Sequence, residues 1–234
     1  MKEVQNGKLI NNTLSDDHYN GIDISYCDNF TISENIASNS ERKGILISFS
    51  TNITLSDNVL NNNGYGGLQL GYSNNIICMN NTAKDNIKGF DLQRTNNTII
   101  IQNTMKNNSN EGIYISECYQ IEILENTITE NKWGIWLGTS NNNTISKNKI
   151  NNNEQDGINL FKSNYNLIKD NNLSGNGRCF NEIECKDNIF ENNICITDSG
   201  DDTSSDAIPG YYPFIIIGII FLATLVVFKK RYKH

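Results

Sequence analysis

The chain has 234 residues, enough for one domain with a full core plus an appendage. Of these, 42 are Asn and 2 are Pro, a bias common in disordered tracts, yet 37% are hydrophobic, more apolar surface than a disordered polar chain carries. The net charge of −7 hides a split: Lys229, Lys230, Arg231 and Lys233 form an acid-free tail, leaving 15 basic against 26 acidic residues, a net of −11, ahead of it. With no cluster of Lys and Arg outside that tail, the charge argues against a nucleic-acid partner.

The first residues, MKEVQNGKLINNTL, contain no apolar stretch of the kind that makes a signal peptide. They also begin in mid-pattern, because Asn12-Thr13-Leu14 matches Asn148-Lys149-Ile150 further on while the first half of that unit is missing. The expectation is an N-terminally truncated fragment whose missing part carried the signal and the cap. The alternative is a tail-anchored protein with its body in the cytosol.

From Gly21 onward the chain repeats. Gly followed by Ile, Leu or Phe recurs at Gly21, Gly44, Gly67, Gly89, Gly112, Gly134 and Gly157, at spacings of 22 or 23 residues. Fourteen residues after each Gly stands an Asn: Asn35, Asn58, Asn81, Asn103, Asn126, Asn148 and Asn171. Five further on is a second column, Asn63, Asn86, Asn108, Asn131, Asn153 and Asn176, broken only by Ser40. Each unit carries three short apolar pulses, as in Gly112-Ile113-Tyr114-Ile115, Ile121-Glu122-Ile123 and Ile128, with no helical period before residue 205. Three short strands per unit predict a parallel β-helix over residues 1–196, with about 7–8 coils stacked at the inter-strand spacing into a rod of roughly 35–40 Å. The Asn columns then stack coil on coil, their amides bonding along the axis. The repeated Gly marks a bend that needs φ > 0 or has no room for a Cβ.

Residues 197–210, beginning TDSGDDTSSDAI, form an acidic flexible linker. Residues 214–228 contain no charge, and with Tyr211-Tyr212-Pro213 in front the apolar span fits one transmembrane α-helix over 211–228. The basic tail 229–234 suits the cytoplasmic side, so the β-helix is expected outside the cell on a single-pass membrane anchor.

Units such as Gly134-Ile135-Trp136-Leu137 followed by Asn142-Asn143-Thr144-Ile145-Ser146-Lys147-Asn148 resemble the right-handed parallel β-helix repeat family, in particular its NosD-like, periplasmic copper-accessory group. The resemblance covers about residues 4–196 and implies an all-β right-handed β-helix, a scaffold that carries sugar-binding, lyase, hydrolase, epimerase and structural proteins alike. The C-terminal segment, with Ile208-Pro209-Gly210 ahead of the apolar run, resembles the anchoring segments of archaeal surface proteins.

Chemistry is sparse. On the outward face of the first strand of each unit, two residues after Gly, Asp91, Tyr114, Trp136 and Asn159 stand on successive coils. Aromatic rings beside carboxyl and amide groups make a candidate platform for polysaccharide or glycoprotein glycans. No catalytic constellation is recognised: hydrolysis needs paired carboxylates, and Asp91 has no acidic neighbour in its column. Neither the Asp-Pro-His-Glu motif of β-helix epimerases nor the Gly-His-Gly of polygalacturonases is present, and the densest acid/His cluster, Asp16-Asp17-His18, lies on a connector.

Cys27 and Cys118 occupy one repeat position four coils apart, about 19 Å, too far for a disulfide. Together with Cys78 they read as small core residues. Cys179, Cys185 and Cys195 are close enough in sequence for one disulfide among them. Copper is implied by the resemblance alone, and no Cys, Met and His grouping of the kind Cu(I) needs is visible, so no metal and no cofactor are expected. The functional expectation is a membrane-anchored surface β-helix with a binding or structural role. The rivals are a polysaccharide lyase or hydrolase whose catalytic part is missing, and a NosD-like accessory of a membrane transport system.

Overall fold

The computed structural model describes residues 1–16 and 18–196; the expected linker, transmembrane helix and basic tail, and Asp17, lie outside them. Among the described residues no helix is long and apolar enough to cross a membrane. Every helix-or-strand element among the described residues is a strand, and every strand pair is parallel and joins one coil to the next.

The first sheet has eight strands, one per coil, and numbers the coils used below. They are Ile22–Ser25, Lys43–Ser48, Gly66–Gly71, Lys88–Gln93, Glu111–Ser116, Trp133–Gly138, Asp156–Phe161 and Arg178–Ile183. The second sheet has nine strands, from Lys8–Ile10 to Ile189–Glu191. The third wall starts with Thr13–Ser15 and Ile36–Ser38, passes through single bridges at Val59, and continues from Thr82–Lys84 to Ile194–Ile196. The three expected apolar pulses are these three walls.

Alternation along each strand points one set of side chains into the rod. Ile24, Ile47, Leu70, Leu92, Ile115, Leu137 and Leu160 stack in register and are fully buried. The repeated glycines are explained by space rather than backbone sign. None of the seven has positive φ, whereas a Cβ on Gly112 would lie 2.6 Å from Ile128 Cγ2 and 2.9 Å from the carbonyl oxygen of Gly134. The chain passes so close to the third wall, and to the next coil, that only Gly fits.

Left-handed backbone falls instead on non-glycine residues at the bends, in four columns that include Tyr26-Phe49-Tyr72, Asn29-Asn52-Asn75, Glu34-Asp57-Asn80 and Asn39-Asn62-Asp85. Asn and Asp adopt that region at the least cost, which accounts for much of the exposed Asn.

The buried Asn columns form continuous ladders. Asn126 Nδ2 donates to the carbonyls of Ile100 at 2.8 Å and Leu124 at 3.0 Å and to Asn148 Oδ1 at 3.0 Å, while its backbone N–H donates to the same Oδ1 at 2.9 Å. Its own Oδ1 accepts the backbone N–H and side-chain amide of Asn103. The second column repeats this from Asn63 to Asn176. A third ladder fills the bend after the first sheet with small side chains, where Ser50 Oγ, Cys118 Sγ, Ser140 Oγ and Cys185 Sγ accept backbone N–H groups of neighbouring coils. Cys27, Cys78 and Cys118 are all buried in the core, as expected, and Cys27 and Cys118 also join the bend ladder where other coils carry serine.

At the C-terminal coil Cys179 takes the place of the repeated Gly. It is disulfide-bonded to Cys195 of the third wall, with Cα atoms 5.9 Å apart. The tight contact that glycine makes elsewhere is here a covalent one.

Candidate functional site

Strand register settles which side chains share the outer face of the first sheet. Gln69, Asp91, Tyr114, Trp136, Asn159 and Asn181 pair in succession on coils 3 to 8. The four residues expected there form one column, yet they differ in exposure. Tyr114 and Trp136 are half-buried, whereas Asp91 is 0% and Asn159 2% exposed. Alternation puts all four on the outside; what covers Asp91 and Asn159 is a second column, the residue just before each glycine.

That column reads Lys43, Gly66, Lys88, Glu111, Trp133, Asp156 and Arg178 on coils 2 to 8. Its side chains lean over the first column. Lys88 Nζ lies 4.0 Å from Asp91 Oδ2, 3.7 Å from Glu111 Oε2 and 3.4 Å from the centroid of the Tyr114 ring. Gln93 Nε2 donates to both Asp91 oxygens at 3.0 and 3.1 Å. Asp91 thus has a carboxyl neighbour after all, Glu111, one coil on and outside its own column. On coils 6 and 7 Trp133 and Trp136 meet edge to face at 5.7 Å, and Asp156 accepts from Asn159 at 2.7 Å and from Arg178 at 2.7 and 3.2 Å.

Burial pushes the Asp91 carboxyl up, against the pull of Lys88, Gln93 and Lys43. Glu111 is raised for the same reason, opposed mainly by Lys88, with the charge of Asp91 adding to the rise. Asn159 Oδ1 on this face, in a residue 2% exposed, is enclosed without a hydrogen-bond partner, and so is Gln69 Oε1 on coil 3, whereas Glu111 Oε2 faces Lys88 Nζ at 3.7 Å. Native structures rarely leave buried acceptors unmatched, so the two amide oxygens depart from the usual pattern.

A concavity of about 400 Å³ lies elsewhere, on the second sheet, lined by residues that include Asn97, Ile99, Gln120, Glu122 and Asn142. Glu122 is its single ionisable group. Its lining is otherwise amide, hydroxyl and aliphatic, without the aromatic pair and the opposed charges of the first sheet. His18, from the expected acid/His cluster, bonds Glu41 at 2.9 Å on the exposed connector.

Fold and face together define a right-handed parallel β-helix with an aromatic and charged strip along its first sheet. The chain belongs to the NosD family: the model described as periplasmic copper-binding protein (NosD) matches residues 1–155, and the right handed beta helix region model matches residues 132–205. No curated protein matches the chain. Among solved structures, it is similar to the periplasmic alginate epimerase AlgG, at 17% identity and TM-score 0.70 over 75% of this chain and 47% of that one. The A-module of Azotobacter vinelandii mannuronan C-5 epimerase AlgE6 is 18% identical, with TM-score 0.70 over 80% of this chain and 57% of that one. The alginate lyase from Paenibacillus sp. str. FPU-7 is 10% identical, with TM-score 0.53 over 76% of this chain and 79% of that one. At these identities the likeness is one of fold, and the chain spans about half the length of the two epimerase chains.

The family's description raises copper, and the donor set can be tested for it. The Cys78 thiol lies in the apolar core and burial drives its pKa upward; that of Cys118, held in the bend ladder, is pushed up to about 11 by burial. Met79 follows Cys78 on the opposite face of the same strand, and Met105 is buried in the third wall. Among the described residues no three His, Cys, Asp or Glu side chains converge. Copper needs soft donors grouped as anions or thioethers, and the donors described here do not fit one.

Proposed function

We propose that this chain is a saccharide-binding β-helix, its ligand lying along the outer face of the first sheet over coils 4 to 7, and that its C-terminal segment holds it at a membrane surface. One observation carries the binding reading: the half-buried Trp133–Trp136 pair stands in register between Glu111, held by Lys88, and Asn159, whose Oδ1 is buried without a hydrogen-bond partner. Ring faces suit the C–H surface of a sugar, and sugar hydroxyls donate to such acceptors. An acceptor left bare in the core of a sheet face costs about 1–3 kcal/mol, which a ligand donor recovers. The fold neighbours named for alginate and mannuronan agree in the class of molecule they act on. The membrane reading is supported by residues 211–234 of the sequence, an uncharged span between tyrosines and a basic tail.

An enzymatic reading has one observation in its favour, the carboxyl pair Asp91 and Glu111 about Lys88. Against it, Asp91 is wholly covered and its oxygens are taken by Gln93. Binding without turnover is therefore the reading the geometry supports best. A glycan array probed with the chain and with Trp136→Ala tests it. Binding to a saccharide class that the variant loses is the expected result; no binding, or binding the variant keeps, overturns it.

A further inference from the structure

The outer face of the first sheet is crowded on every coil from 4 to 7, but not on coil 3. There the strand Gly66–Gly71, GGLQLG, presents glycine before the repeat position and again four residues after it. Gln69 is the sole outward side chain between them. A Cβ on Gly71 would meet nothing within 4 Å, and its φ is not in the left-handed range. The result is a notch across the face, running between Tyr65 and Tyr72, which flank the strand and are 39% and 49% exposed. Coil 6 omits one side chain of this face, at Gly138, where the Trp136 indole nitrogen lies 3.6 Å from the position of a Cβ; coil 3 omits two, at Gly66 and Gly71.

Two polar side chains border the notch, Gln69 and Lys43. Gln69 Oε1 is buried there without a hydrogen-bond partner. On the preceding coil Lys43 pairs in register with Gly66, and its ammonium lies 5.3 Å from the centre of the Tyr65 ring. No side chain at Gly66 separates Lys43 from coil 4, and Asp91 there is the strongest charge acting on it, followed by Arg42 and Asp23. Yet among the described residues no carboxylate stands within ion-pair distance of Lys43, in contrast to Lys88, which has two. A cation taken partly out of water without a counter-ion is an anion site in waiting.

We infer that the two-glycine notch of coil 3 is a subsite for an acidic sugar residue, with the acid group against Lys43 and a ring hydroxyl against Gln69. The inference rests on the saccharide reading above and names its ligand class. Coils repeat at ~4.8 Å, close to the length of one pyranose in an extended chain. One chain could therefore seat a unit in the notch and others on Tyr114 and the tryptophans. The acidic body does not preclude this, since at physiological salt charges farther than about 8 Å are largely screened.

The test is calorimetric titration of the full chain in detergent with three oligosaccharides: oligogalacturonate, its methyl ester and a sulfated galactan. Gly71→Leu places a side chain in the notch, its Cβ clear of other atoms, and Lys43→Gln removes the charge from a half-buried strand position; melting curves of both variants are recorded alongside, so that binding is compared between folded proteins. Each is expected to weaken binding of the acidic oligosaccharide about tenfold or more, the worth of one charge-assisted hydrogen bond, and the methyl ester to bind as weakly to wild type as the acid does to Lys43→Gln. Stronger binding of the galactan than of the galacturonate, lost in both variants, identifies sulfate as the acid group. Unchanged affinity in both variants, with binding lost in Trp136→Ala, overturns the notch and leaves the aromatic platform standing. No heat with any of the three, together with a blank glycan array, removes the saccharide reading itself.

Discussion

The inside of the rod and the outer face of its first sheet obey opposite rules. Inside, each coil repeats the last: Asn103, Asn126 and Asn148 hand the same bonds along the axis, and the stacked aliphatic columns are fully buried. On the outer face almost no two coils agree. Lys43, Gly66, Lys88, Glu111, Trp133 and Asp156 follow one another in a single column, and charges are buried there with acceptors left over. Regularity serves stacking, because any coil must fit any neighbour. Departure from the repeat, where it leaves polar atoms unmatched, is the signature of a surface shaped for something else.

The contrast can be broken most forcefully from the inside. Asn126→Ala removes three donated bonds and strands the backbone N–H of Asn103, whose side-chain amide keeps the carbonyls of Cys78 and Ile101. The expected loss is about 3 kcal/mol in a urea melt. Asn107→Ala, at an exposed left-handed bend, should cost about 1 kcal/mol, chiefly for the backbone. Equal losses at the two positions would mean that the ladder has no special role.

On the outer face, Lys88→Met leaves Asp91 and Glu111 buried without their cation. Because the Lys88 side chain retains 12% exposure, the loss is expected at about 2 kcal/mol at neutral pH, below the figure for a fully enclosed pair. It should shrink in acid, where the carboxyls are protonated. A loss that does not vary with pH would sever Lys88 from the two acids.

Asp91→Asn sharpens the same point. The folded pKa values of Asp91 and Glu111 are raised above the ordinary 3.8 and 4.5. The folded state therefore holds their protons more tightly, and the associated stability is complete below those ordinary values and is lost as pH rises through the raised ones. Wild type should show this decline in melting temperature from mildly acid to neutral pH, and Asp91→Asn should flatten it. The smallest effect is expected at Glu117→Gln. It breaks a two-point contact with Arg94 at 2.8 and 3.1 Å, but on an exposed bend where solvent competes, so the melting midpoint should not move.

These differences also explain what could be read from the amino acids. The Gly and Asn columns lie at fixed offsets, so β-helix, coil length and inward residues follow from counting, and Cys78 falls on its core position for that reason. The disulfide was narrowed to three cysteines; Cys179–Cys195 is selected by geometry, because Cys179 sits where glycine otherwise touches the third wall. The candidate face was legible only in part. Its column of Asp91, Tyr114, Trp136 and Asn159 follows from alternation, but burial of Asp91 does not. Lys88 covers it from one column over, and Glu111 adds its charge from the next coil. Contacts between neighbouring columns depend on which way long side chains lean, which alternation does not encode. Alternation does not place Trp133 for a related reason: the residue before each glycine looks like part of the bend until register pairs Trp133 with Glu111. A signal was present, however, since that position carries charge or Trp on coils 2 and 4 to 8 and glycine on coil 3.

The chain contains 2 tryptophans, and they are the Trp133–Trp136 pair of the proposed binding face. Tryptophan emission, excited selectively over the 10 tyrosines, therefore reports on that face. Titrating the chain with the saccharides that bind on the array should give a saturable change in tryptophan emission, absent with non-binding sugars. Tight binding with no change in emission would place the ligand elsewhere and contradict the account.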